Sequence, residues 1–483
     1  MWYFQAKTIA GGVVMLLAVM LSSAASFGAS SPAVSNVPSF TPTQSVTPPS
    51  TAPQGSGFDS VSCWSAGECM AVGSAYDGST NTFPVFAIET SGHWGTAQII
   101  DHGYFPGSAL GVSCWAQSQC AVVGTASATT TAFGIIYDTG SWTDTLLTGM
   151  NSYDYPTLKS VSCRSDGSCV AVGVAYSGSN SNGIATTYSQ HAWSLLTPTL
   201  LPDSELSSLH GVSCVTDAGC TAVGSDSSGP LVLTAPLGSA TFTDAITITS
   251  PTSSSQARLL SVSCTTATDC TAIGSVGAYG CPTAHILPAL MVGLACARER
   301  GPIRFDYVNN VSGFAVDESN ARWNASVAVQ QNAAAAGSGP MSVSCTSPGN
   351  CVEVGTTLVN NVDQGAFATE SGGVWSSESL IALGQSQTYL YLNSVSCTQL
   401  GACTAVGFGS AGMMATDSPA YVPPTTPTTS PPTTLATTPS TTPRAALAAT
   451  GSDEVFLLIG SLGLVVPGIA LVLRRRIAMP RAE

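Results

Sequence analysis

Between residues 34 and 421 the apolar residues fall in short runs broken by Gly, Ser, Thr and Asn, without the spacing of an amphipathic helix. The runs recur in a fixed order: Val61-Ser62-Cys63, then Cys69-Met70-Ala71-Val72-Gly73, then Val85-Phe86-Ala87-Ile88, then an aromatic residue after a polar turn, Trp94. Runs this short, rich in Val, Ile, Thr and aromatics and bounded by turn residues, predict strands, four to a unit. The unit of about fifty residues occurs seven times, with Trp142, Trp193, Phe242, Trp323 and Trp375 in the place of Trp94 in copies two to six. Four strands in about fifty residues is the size of a propeller blade, so the fold class is all-β, a seven-bladed β-propeller over 34–421. The aromatics recur at one place in each blade, which predicts blade-to-blade packing rather than ligand contact.

The seventh copy ends at Gly412-Met413-Met414-Ala415-Thr416 without a fourth strand. Ser39-Phe40-Thr41-Pro42-Thr43 resembles the fourth strands at Trp142 and Phe242, so a strand starting at Phe40 is expected to complete the last blade. Pro42 cannot donate to a ladder, which suits an outermost edge.

Each unit carries two cysteines separated by five residues: Cys63 and Cys69, Cys114 and Cys120, Cys163 and Cys169, Cys214 and Cys220, Cys264 and Cys270, Cys345 and Cys351, Cys397 and Cys403. Two strands joined by a five-residue loop bring such a pair within reach of a disulfide. Zinc is disfavoured by the spacing, and no metal site or cofactor is assigned. The fifth copy holds an insertion, about 277–306, with Cys281 and Cys296, expected to form an eighth disulfide, and with Arg298, Arg300 and Arg304.

The ends differ from the middle. Lys7 and the apolar run from Ile9 to Leu21, followed by small residues, read as a signal peptide over 1–29. A Pro/Thr-rich stretch, 422–446, cannot bury a core and predicts an extended stalk. It leads to Leu447-Ala448-Ala449-Thr450-Gly451, an apolar transmembrane segment at 455–473, and Arg474-Arg475-Arg476 holding the tail in the cytoplasm. This tail resembles the cell-wall sorting signals of Gram-positive bacteria, and Ala448 matches the class E sortase variant of actinobacteria. The resemblance implies sortase and peptidoglycan as partners, with transfer of the Thr450 carboxyl group; the alternative is a retained single-pass membrane anchor. The repeat itself resembles the Ser-Val-Ser-Cys repeats of secreted actinobacterial surface proteins and, more loosely, blades with Asp-box turns such as those of sialidases. Asp138, Gly140 and Trp142, and Glu89, Gly92 and Trp94, depart from the Asp-box spacing and support a turn shape only.

The chain has 483 residues with 13 Lys and Arg against 27 Asp and Glu, a net charge of -14, and 16 Cys. No basic surface exists to neutralise phosphates, so nucleic acid is excluded as a partner, and the cysteine content fits an oxidising compartment. The negative charge disfavours self-association, and a monomer is expected. A sialidase-like site needs three arginines, an acid and a Tyr-Glu pair, and no such assignment exists, so no catalytic residue is named. Trp64, Trp115 and Arg164, each directly after a leading Cys, and Arg298, Arg300 and Arg304 in the insertion are the candidate ligand-binding residues, for a glycan or protein. The expected role is that of a surface-anchored binding or structural module; the alternative is a propeller-type glycan hydrolase or lyase.

Overall fold

The computed structural model describes residues 39–418, interrupted at 79–80, 102–105, 127–130, 149–153, 178–179, 200–206, 216–218, 252–256, 278–310, 385–386, 400 and 411. The signal segment, the insertion with Cys281, Cys296, Arg298, Arg300 and Arg304, the stalk, Leu447 to Gly451 and the apolar tail lie outside the described residues.

Seven antiparallel sheets of four or five strands form the blades of a β-propeller. The first comprises Gln54–Ser65, Glu68–Tyr76, Thr82–Thr90 and an outer edge divided between His93–Trp94 and Gln98–Ile99. The six that follow repeat this order from inner strands Gly107–Ala116, Asp154–Cys163, Ser208–Val215, Arg258–Thr266, Ala335–Ser347 and Leu390–Gln399. Polar Ser91 and Gly92 take positive φ, 52° and 77°, and turn the third strand tightly into the fourth.

The last blade takes its outer strand from the start of the propeller. Gln44 and Ser45 pair with Ala415 and Met414, flanked by the amides of Thr41 and Val46 donating to the carbonyls of Asp417 and Met413, both at 2.9 Å. The ladder therefore begins beyond Pro42, and Phe40 acts as an anchor at its head, its ring edge-on to Phe367 at 5.1 Å between centroids.

The cores lie between blades. Seven buried clusters form, one for each blade junction; that between blades 7 and 1 joins Val406, Met413 and Ala415 to Phe58, Val61 and Val85. The repeated aromatics belong to these clusters, with Trp142 edge-on to Phe86 of the preceding blade at 4.9 Å and Trp193 lying over Gly134.

The Ser-Val-Ser-Cys motif stitches the ring. In every blade the amide of the leading Cys donates to the Ser hydroxyl that precedes the leading Cys of the previous blade, at 2.9–3.0 Å, including Cys63 to Ser396 across the closure. The first Ser of the motif accepts likewise from the next blade's Val amide, as from Val112 to Ser60; in two copies Gly111 and Gly211 stand there and the bond is missing. Just before this position each inner strand carries a bulge, as at Leu158/Ser160. The neighbouring Gly is required by that crowding, for a Cβ on Gly173 would lie 1.9 Å from the Thr157 carbonyl oxygen.

Candidate functional site

Seven disulfides, one per blade, close the five-residue loops, with the two cysteines directly opposite in register and Cα atoms 3.9–4.0 Å apart. Among the described residues the loops shape grooves at two of the blade junctions. The first, about 350 Å³, lies between blades 7 and 1 and is lined by Cys63, Ser65, Gly67, Glu89, Thr404 and Asp417 among others. The second, about 270 Å³, lies between blades 5 and 6 and is lined by Cys345, Ser347, Gly349, Thr271, Asp317 and Glu370 among others.

The two grooves have equivalent chemistry. Thr404 and Thr271 each directly follow the second Cys of their blade, and each donates its hydroxyl to the Asp opposite, Asp417 at 2.7 Å and Asp317 at 2.8 Å. The next blade brings up Glu89 and Glu370, 0 % and 1 % exposed, with no donor to either oxygen. Burial first, then the Asp417 carboxyl and the charge of Glu68, push Glu89 up to about 8. Burial and Asp317 push Glu370 up to about 7, and both aspartates are raised by burial against the opposing effect of their Thr hydroxyls. Two carboxyls so close and so dry share a proton up to about pH 8 in the first groove and about pH 7 in the second.

The bulge residue before each Ser-Val-Ser-Cys or Gly-Val-Ser-Cys forms a third constellation, and it is the varied position of an otherwise regular repeat: Asp59, Leu110, Lys159, His210, Leu260, Met341 and Asn393. These side chains interact from blade to blade, with Lys159 Nζ 3.3 Å from His210 Nδ1 and Asn393 Nδ2 donating to the Phe58 carbonyl at 2.7 Å. Burial, then the charges of Lys159 and Arg258, hold His210 well below the usual histidine range, while burial raises Asp59 to about 8.

The residues singled out in the sequence occupy different surroundings. Trp64 and Trp115 are half-buried and pack on the cores shared with the next blade, Trp115 against Gly167 of its neighbour's loop. They lean forward around the ring rather than over their own disulfides. Arg164 is 6 % exposed; its Nε donates to Ser168 Oγ at 2.9 Å and lies 3.7 Å from Asp166, so it braces its own loop. Glu89, read in the sequence as part of a turn, is instead the buried acid of the first groove. The sequence pattern does not show the acid pairs because their members come from different blades; the available signal is an acid opposite the second Cys or the residue after it, in copies one, five, six and seven.

Fold and junctions define the chain as a seven-bladed β-propeller. No protein-family profile and no curated protein matches it. Solved structures similar to it include YCF48 bound to a D1 peptide, 10% identical, covering 80% of this chain and 99% of that one with a TM-score of 0.45. Others are the GH93 α-L-arabinofuranosidase of Fusarium graminearum with arabinobiose (9% identity, 78% and 97% covered, TM-score 0.36) and a subtype N10 neuraminidase-like protein of A/little yellow-shouldered bat/Guatemala/060/2010 (11%, 79% and 97%, TM-score 0.33).

Proposed function

We propose that the protein is an exported surface protein, anchored to the cell wall or membrane, whose propeller serves as a rigid ligand-binding or structural module held on a Pro/Thr stalk. The observation that supports this best is the disulfide in each of the seven blades, a density that fits an oxidising compartment and not the cytosol. The order of the C-terminal features, Leu447-Ala448-Ala449-Thr450-Gly451, apolar segment and arginines, supports the anchor. Sortase and peptidoglycan are the partners this reading implies.

The paired carboxyls favour the second reading, a glycan hydrolase or lyase, because acid–base pairs serve glycosidic cleavage. Among the described residues the arginines are dispersed, which weighs against a sialidase-like form of it: Arg164 braces a loop in blade 3, while Arg258 and Arg322 stand on the innermost and outer strands of blade 5. Intact mass spectrometry of protein released by wall digestion tests the anchor. The expected product ends at Thr450 joined to a wall peptide; a chain still ending at Glu483 rejects sorting. Turnover of wall or host glycans that is lost in Glu89→Gln would favour the enzyme.

A further inference from the structure

The two acid-paired grooves are not what the fold requires. At the junction of blades 1 and 2 the positions of Thr404, Asp417 and Glu89 are held by Met70, Ile88 and Tyr137, and between blades 2 and 3 by Ala121, Ile136 and Tyr188. Packed apolar residues therefore serve the same junction elsewhere in the ring. A buried carboxyl without a donor opposes folding, yet the chain holds one at both Glu89 and Glu370, facing an aspartate across the blade junction.

Among the described residues no Lys, Arg or His lines either groove, although Glu68 stands near the first and Asp269 and Glu318 line the second. The walls are hydroxyls and loop backbone, from Thr41, Ser65, Thr398 and Ser418 in the first and from Ser263, Thr265, Ser319 and Ser347 in the second. Among the described residues no group of three or more acids, histidines or cysteines is placed to hold a metal ion. The spaces of about 350 and 270 Å³ exceed what a bare ion fills and suit an organic group with several N–H donors.

We propose that each groove receives a cationic organic group, an alkylammonium or guanidinium such as a basic polypeptide presents on lysine or arginine, which pairs with Glu89 and Asp417 in one groove and with Glu370 and Asp317 in the other. The cation takes the place of the proton held between the two carboxyls, so binding releases a proton and strengthens as pH rises. The grooves are equivalent and two blades apart on one ring, so a partner with two basic side chains gains from engaging both. This deepens the binding reading by naming a ligand class and rests on it. The anchor is tested separately at Thr450, so either can fail while the other stands.

The test is titration calorimetry of the full, oxidised chain with butylammonium and butylguanidinium chloride at pH 8.5 and pH 6, with calcium chloride as a separate arm. Two organic cations bind per chain at pH 8.5, with apparent affinity roughly tenfold or more weaker at pH 6 through proton competition. Glu89→Gln and Glu370→Gln each reduce the stoichiometry to one, and the double variant, which keeps the parent's circular dichroism spectrum and a single cooperative unfolding transition, binds none. Absence of organic-cation binding, whether or not calcium is taken up, overturns the proposal, as does binding that the double variant retains.

Discussion

The amide of Cys114 donates to the hydroxyl of Ser62 at 2.9 Å, joining the inner strands of the first two blades through residues 52 positions apart. The same bond recurs at every blade junction and closes on itself where Cys63 donates to Ser396. The Ser of the repeat is thus an inter-blade acceptor, and the disulfide beside it fixes the strand end that carries the donor.

Ser62→Ala leaves the Cys114 amide without its acceptor in a half-buried junction. The expected loss is about 1 to 3 kcal/mol of unfolding free energy, read by denaturant titration under oxidising conditions. Ser113→Ala, which removes the acceptor of the Cys163 amide, is expected to cost a similar amount. A neutral result at both sites would show that the stitching contributes nothing.

Gly173→Ala meets a harder obstacle, because its Cβ would sit 1.9 Å from the Thr157 carbonyl oxygen and 2.8 Å from the Leu158 Cα, both backbone. The inner strand must move or the bulge must open. A loss of about 3 kcal/mol or more is expected in the same titration.

Removal of one bridge, Cys163→Ala with Cys169→Ala, relaxes only a five-residue loop in the unfolded chain. The chain-entropy relation gives about 2 to 2.5 kcal/mol for it. Calorimetric unfolding of the double variant should show a lowered but still cooperative transition.

Stability should also depend on pH. Folded Glu89 and Glu370 titrate at about 8 and about 7, above the ordinary 4.5, and Asp59 at about 8 against 3.8. Across that window the folded chain binds more protons than the unfolded one, so their effect on stability is most favourable below about pH 4 and declines as pH rises to about 8. Glu89→Gln with Glu370→Gln should flatten the decline between pH 5 and pH 8, followed as thermal midpoint against pH.

How much of this was legible in the sequence follows from where each partner lies. Strand order and blade number could be read because each strand's pattern is local, and the disulfides because both cysteines belong to one hairpin. Phe40 was found through its likeness to Trp142 and Phe242, although ladder pairing starts later, at Gln44, since Pro42 has no amide to give. The purpose of Ser62 was hidden because its donor sits a whole repeat away, and the bulge that makes Gly173 obligatory leaves only a small residue as its trace. The acid pairs were less legible still, because Glu89 and Asp417 stand near opposite ends of the propeller sequence and meet only through ring closure. Which way the rings of Trp64 and Trp115 lean is not written in the local sequence; the adjoining blade supplies apolar surface on which each packs while staying half-exposed.

Closure of the ring by the segment around Phe40 supplies the outer strand of blade 7 and, through Thr41 and Gln44, one wall of the first groove. Hydrogen–deuterium exchange of the native, oxidised chain measures it most directly. The amides of Thr41 and Val46, bonded to Asp417 and Met413, are expected to exchange far more slowly than in an unstructured peptide and to lose protection together with those of Gly412–Asp417. Exchange of 40–46 at the free-peptide rate, with the rest of the ring protected, would contradict the closure.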